Sequence, residues 1–260
     1  ERIPHTAYAE PSGEAVDHYR RYEEDIKLLA GAGLNAYRFS IEWARIEPEE
    51  GKFDEAEVEH YRKVIACCKA NTVEPVVTLH HFTSPKWLMG KGGWEAETTP
   101  ADFARYVRYV MERLGGELKY VCTINEANMG VQVAAIAKRY MRQMMAKAAA
   151  GQTDGTVQMG MNMEKMMANQ KAAAEENVKV FGVEKVENFT SPRTERGDQL
   201  VMEAHKAARA VMREVCPHVK VGLTLSLHDI QALPGGEENA AKEWAEEFTH
   251  YLPAIQGDDF

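Results

Sequence analysis

The chain has 260 residues, 45% hydrophobic and 27% charged, which suits one large soluble globular domain or two small ones. Forty acidic against 31 basic side chains leave a formal charge of -9, a balance that speaks against nucleic acid or an anionic membrane as a partner. No apolar run approaches a membrane span and ERIPHTAYAE does not read as a signal peptide, while Cys67, Cys68, Cys122 and Cys216 lack any CxxC spacing; reduced thiols and a cytoplasmic location are expected.

In chain order, Tyr19, Tyr22, Ile26 and Leu29 recur at helical spacing until Gly31 and Gly33 stop the helix. NAYRFSI (35–41) follows as a strand. Val58, Tyr61, Ile65 and Cys68 mark a second helix, and VEPVVTLHHF (73–82) a second strand. Thr99 and Asp102 predict a capping box around Pro100, with Phe103, Val107, Val110 and Leu114 on the core face of the helix it starts. LKYVCTINEAN (118–128) is a third strand that runs into an amide and a carboxyl, Asn125 and Glu126. Later, Leu200, Ala204, Ala207 and Val211 make a helix leading past Pro217 into the strand KVGLTLSL (220–227). A last helix carries Ala241, Trp244, Phe248 and Tyr251, and another strand starts at 258–260.

Strands that are apolar on both faces and separated by amphipathic helices predict an α/β fold with a parallel sheet. A doubly wound sheet and an eightfold barrel both fit that alternation. The polar residues favour the barrel: Arg38, His80 and His81, Asn125 with Glu126, and His228 with Asp229 lie in or at the C-terminal ends of four strands, where barrel enzymes build their sites. Only four strands and a stub are found, so about half of a (β/α)8 TIM-type barrel is expected, as one partial domain over 1–260. The remaining length lies in 131–195, read as a helical insertion after the third strand. Eight of the 13 Met residues fall between Met141 and Met167, and core filling for an inserted helical hairpin is the reading preferred over a wall for a substrate mouth.

For an isolated Glu126 the plain reading is a helix cap or a surface ion pair. Asn125 beside it, Asn128 on the same turn and the apolar strand leading in favour a general acid instead. His80 and His81 point to opposite faces of a strand, so they cannot share a metal; one reaches the strand-end cavity and the other packs. An inward-facing Arg38 needs an anionic partner, and none lies in its own strand. Glu42 is given a surface role. GAGLNA at Gly31 follows a helix and precedes a strand, the reverse of a dinucleotide site, so it is a helix stop. Trp87 and Trp94, in SPKWLMGKGGWE, are read as loop packing or as platforms for a sugar ring. No metal or cofactor is expected.

Five stretches in one order carry a resemblance: DHYRRYEEDIKLLAGAGLNAYRFSIEWARIEPEEGKFD, EPVVTLHHFTSPKWLMGKGGW, VCTINEAN, KVGLTLSLHD and the closing GDDF. Together they cover most of the chain outside the Met-rich region. They resemble the family-1 glycoside hydrolases, the β-glucosidase and 6-phospho-β-glucosidase family. The resemblance implies that the strands are barrel strands two to five, with the start of six at 258–260. It implies that Glu126 is the acid/base carboxylate of a retaining β-glycosidase, with Asn125 on the sugar 2-hydroxyl and His81 on the glycon. Arg38 would sit against the nucleophile, and Trp87, Trp94 and Asn128 would be aglycone or loop contacts. Phe82 and Ala127 stand where the family often has Trp and Pro. The family's attacking Glu, in a TENG-type motif, occurs nowhere in the 260 residues, and a retaining mechanism needs two carboxyl groups.

The expectation is therefore a β-glucoside hydrolase carrying the acid/base half of its site and inactive as this polypeptide, with a β-glucoside, its 6-phosphate or an oligosaccharide as ligand. A catalytically silent half-barrel is the rival reading, since open sheet edges favour a homo-oligomer. An inverting pair of Glu126 with Asp229 or Glu42 would need a water-sized gap and is set aside.

Overall fold

A computed structural model describes residues 13–149, 157–158, 161–162 and 168–260. Its centre is a parallel sheet of β1 (Ala36–Ser40), β2 (Glu74–His80), β3 (Tyr120–Ile124) and a later strand, Lys220–Gly222. These strands lie side by side in chain order, and the register sets Arg38 opposite Val76, Thr78 opposite Cys122 and Cys122 opposite Gly222. Each parallel step needs a crossover, and helices supply them. α1 (His18–Gly31) precedes β1, and the short α2 (Trp43–Ile46) and α3 (Glu55–Ala70) join it to β2. α3 starts where the Asp54 carboxylate accepts from the Ala56 and Glu57 amides. α4 (Lys86–Gly90) and α5 (Thr99–Leu114) lead to β3. Phe103, Tyr106, Val107, Val110 and Leu114 lie fully buried along one face of α5.

The capping box is corrected: Thr98 stands at the N-cap of α5. The Thr99 hydroxyl donates 2.6 Å to the Gly93 carbonyl, and the Asp102 carboxylate accepts from Lys91 and Arg105. Opposite charges reached Asp102 before a backbone amide could.

After β3 come α6 (Met129–Ala149), a two-stranded antiparallel ladder of β4 (Val157–Gln158) with β5 (Met161–Asn162), and α7 (Gln170–Phe181). The expected hairpin of helices is thus interrupted by a strand pair. Core filling by its methionines is also corrected where it can be seen: Met141 and Met145 are 58% and 71% exposed. The side chains of the other six lie outside the described residues.

α8 (Glu195–Val215), capped by Thr194, packs on β3 and along α5. It delivers the chain to β6, the Lys220–Gly222 strand, after which follow α9 (Glu237–Glu247) and α10 (Leu252–Ile255). The strand expected over 220–227 ends at Gly222. Beyond it the Thr224 amide still reaches the Ile124 carbonyl at 3.3 Å, but the Asn128 side chain then captures Ser226 and bends the chain away from the ladder. Gly222 must be glycine, because a Cβ would lie 2.6 Å from the Phe260 carbonyl oxygen. Phe260 is there because Asp259 pairs with Val221: its amide donates to the Val221 carbonyl and its carboxylate accepts from the Val221 amide, both at 2.8 Å. One sheet edge is therefore partly closed, while β1 has a described neighbour on one side only.

Cys68, Cys122 and Cys216 are buried and all four cysteines are free thiols. Among the described residues, no helix is long and apolar enough to cross a membrane.

Candidate active site

β1 and the C-terminal ends of β2 and β3 bring Arg38, His81, Asn125 and Glu126 to one mouth. The turn after β3 is tied at every residue. The Asn125 amide donates to the His80 carbonyl at 2.8 Å, the Glu126 amide to the Thr224 hydroxyl at 3.0 Å, and the Ala127 amide to the Thr224 carbonyl at 3.1 Å. Glu126 itself has φ 47°, the left-handed region that a side chain rarely adopts. Phe82, at the matching place after β2, has φ 70°. Two such residues at neighbouring strand ends mark a site whose backbone is held against its preference.

Asn125 is buried, and its Oδ1 accepts from both terminal nitrogens of Arg38 at 3.0 Å and from the Thr224 hydroxyl at 3.3 Å. With the oxygen so engaged, the amide NH2 makes no hydrogen bond among the described residues. Arg38 also donates to the Thr78 hydroxyl at 3.1 Å. Among the described residues no carboxylate pairs with Arg38: its terminal nitrogens bond a neutral amide and a hydroxyl, and the side chain is exposed on one face of the sheet. Glu126 is half-buried, and its carboxylate makes no hydrogen bond among the described residues.

His81 is exposed at the same mouth. Burial and then the Arg38 charge lower its basicity, while the Glu126 and Glu42 carboxylates oppose them. His80 points the other way, fully enclosed beside Trp94 and Phe189 with both ring centroids 4.7 Å away, and its Nε2 is 2.9 Å from the Ser84 hydroxyl. Burial, reinforced by the Arg193 charge, pushes its pKa down to about 3, so the ring is neutral. Glu42 is not merely a surface group: it accepts from the Ala44 amide at the start of α2 and from the Thr83 hydroxyl at 2.5 Å.

Trp87, Trp94 and Asn128, read as aglycone or loop contacts, all bond within the protein. Trp94 is fully buried and its indole donates to Ser84, because the loop folds it into the aromatic cluster around His80. Trp87 donates to the Glu47 carbonyl at 2.9 Å, with the cations of Lys91 and Arg105 5.4 and 5.5 Å from its ring centroid. Asn128 is buried, and its amide oxygen and nitrogen close on the Ser226 amide and carbonyl at 2.8 and 2.9 Å. The sequence reading missed Thr224, which serves both Asn125 and Glu126. Its only signal was a hydroxyl inside the apolar run LTLSL.

The arrangement presents a free carboxylate, an aligned amide donor, a guanidinium and an imidazole around one opening. That set can donate hydrogen bonds to hydroxyl groups and a proton to an oxygen between them.

The model of glycosyl hydrolase family 1 matches residues 2–257. The chain is 40% identical over 126 residues to a beta-glucosidase of Agrobacterium sp., a match covering 48% of this chain and 28% of that protein. It is 40% identical over 130 residues to the aryl-phospho-beta-D-glucosidase BglC of Bacillus subtilis, covering 49% of this chain and 27% of that protein. Among solved structures, beta-glycosidase BGL167 superposes with a TM-score of 0.80 at 42% identity, covering all of this chain and 58% of that one. The chain thus spans little more than half of that neighbour, and the segments shared with the curated relatives are about a quarter of their length.

Proposed function

The chain belongs to glycosyl hydrolase family 1, and from that premise we propose that it carries the acid/base half of a retaining β-glycosidase site. Glu126 protonates the departing glycosidic oxygen and afterwards, as carboxylate, takes a proton from the water that attacks the glycosyl-enzyme. The free NH2 of Asn125 donates to a sugar hydroxyl next to the reacting carbon, and His81 binds the glycon at the rim. Arg38 holds the Asn125 oxygen, and thereby turns the nitrogen toward the ligand. The observation that carries this reading is the Asn125–Glu126 pair at the end of β3, one group locked by three donors and the other left unbonded in a left-handed turn.

A retaining reaction also needs a carboxylate about 5 to 5.5 Å from the donor to attack the anomeric carbon. We place that group outside these 260 residues, and the polypeptide alone is expected to leave the glycosidic bond intact. The substrate is a terminal β-glucoside or its 6-phosphate, a reading supported by relatives named as a beta-glucosidase and an aryl-phospho-beta-D-glucosidase. Incubation with 4-nitrophenyl β-glucoside, beside a Glu126→Gln control, tests the assignment. Equal background release is expected from both. Turnover that the substitution abolishes would locate an attacking group within the chain.

A further inference from the structure

The peptide that follows Glu126 is held from behind by a buried group that none of this chemistry uses. Arg193 Nη2 donates to the Ala127 carbonyl. Its side chain is 1% exposed and its guanidinium carbon lies 4.6 Å from the Phe189 ring centroid. It occupies a slot that exists because residue 130 is glycine: a Cβ there would come within 2.1 Å of Arg193 Nε. On the far side Asp198 lies 3.6 Å from Nε. The Tyr251 hydroxyl bonds to that same carboxylate and lies 3.3 Å from the Ala127 oxygen, and His250 Nε2 is 3.3 Å from the other carboxylate oxygen.

Arg193 is a poor choice for packing alone. Its Nε and Nη1 find no hydrogen-bond partner among the described residues, and a buried charge with unmet donors is usually less stable than an apolar side chain of its size. What the guanidinium does provide is one charge-assisted bond to the Ala127 carbonyl. The other tethers of the turn come from strand ends, from α6 itself and from the neutral Tyr251 hydroxyl. Arg193 supplies the charged one. A left-handed Glu persists only where its surroundings over-determine the backbone.

We propose that Arg193 is a positioning residue for Glu126: its bond to the Ala127 carbonyl, steadied by Asp198 and Tyr251, keeps the turn left-handed and so aims the carboxylate at the mouth beside Arg38 and His81. The proposal rests on Glu126 being the proton donor, but its test reads backbone conformation rather than turnover, so the two can fail separately. In isotopically labelled protein, the Glu126 13Cα and 13Cβ shifts report that residue's φ and ψ. Arg193→Met is expected to move both shifts out of their left-handed values, and Arg193→Lys, which keeps a donor, to return them. Unmoved Glu126 shifts in a folded Arg193→Met protein would overturn the proposal, whatever happens to its stability. Should that variant not fold, Asp198→Asn removes the charge that steadies the guanidinium and leaves the Tyr251 hydroxyl beside the Ala127 oxygen. Moved Glu126 shifts there support the proposal and unmoved ones overturn it.

Discussion

Both terminal nitrogens of Arg38 lie 3.0 Å from the Asn125 amide oxygen. A guanidinium has no acceptor, so this contact decides which end of the amide faces the ligand. Asn125→Asp keeps the oxygen that Arg38 grips and removes the NH2. We expect folding stability to stay within about 1 kcal/mol, because the new carboxylate is paired. Affinity for a non-hydrolysed glucoside should fall about tenfold, or ~1.4 kcal/mol. Chemical-shift titration of the two proteins checks this, and equal affinities would remove Asn125 from the binding site.

Glu126 sits where glycine would be at ease. A left-handed residue bearing a side chain costs about 1 kcal/mol or more, so Glu126→Gly is expected to raise the unfolding free energy by up to about 1 kcal/mol. Glu126→Val should lower it, since a branched Cβ suits that backbone least. Urea unfolding midpoints with unchanged slope measure both. A glycine variant clearly less stable than the parent would show that the turn is not strained.

His80 couples stability to pH. Its folded pKa of about 3 lies below the ordinary value near 6.5. Between those values the unfolded chain binds a proton that the folded chain does not. Its contribution is therefore complete above pH 6.5 and lost as pH falls toward 3. At about 1.4 kcal/mol per pH unit, acidifying from pH 8 to pH 5 should remove about 2 kcal/mol through this residue. His80→Phe, which still fills the aromatic cage, should lack that loss. Unfolding at the two pH values compares them, and equal acid losses would assign the effect to other groups.

Among the described residues β1 lacks a partner strand on one side, which makes that edge a template for another chain, whereas Val221 of β6 is already served by Asp259. Size-exclusion chromatography across a concentration series is expected to show a dimer growing in. A monomer throughout would mean that the edge is protected.

The parts of the fold legible in the sequence were those written in short-range pattern. Apolar runs such as EPVVTLH and YVCTI could only be buried strands, and polar pairs at their ends located the mouth. What stayed hidden depended on contacts distant along the chain. Nothing in LTLSL says that Asn128, nearly a hundred residues earlier, will capture Ser226 and end β6. Nor does AYRFS say that Arg38 will reach the amide oxygen of Asn125, 87 residues later. Arg193 stands in SPRTERGD, a charge-rich stretch that reads as solvated surface, yet it is enclosed behind Ala127. Trp94 shows the converse, an aromatic in a loop that folds into the core.

We assign Glu126 the proton donated to a glycoside and place the attacking carboxylate outside these residues. Azide can take the place of that nucleophile: it forms the bond to the anomeric carbon as the bond to the aryl oxygen breaks and Glu126 protonates the phenol. The decisive measurement is release of phenol from phenyl β-glucoside, whose weakly acidic leaving group needs a proton, by this polypeptide with and without azide, beside Glu126→Gln. We predict release that requires azide, yields the α-glucosyl azide and disappears in the Gln variant. Azide-independent release that the Gln substitution abolishes, or azide-driven release that survives it, would contradict the account.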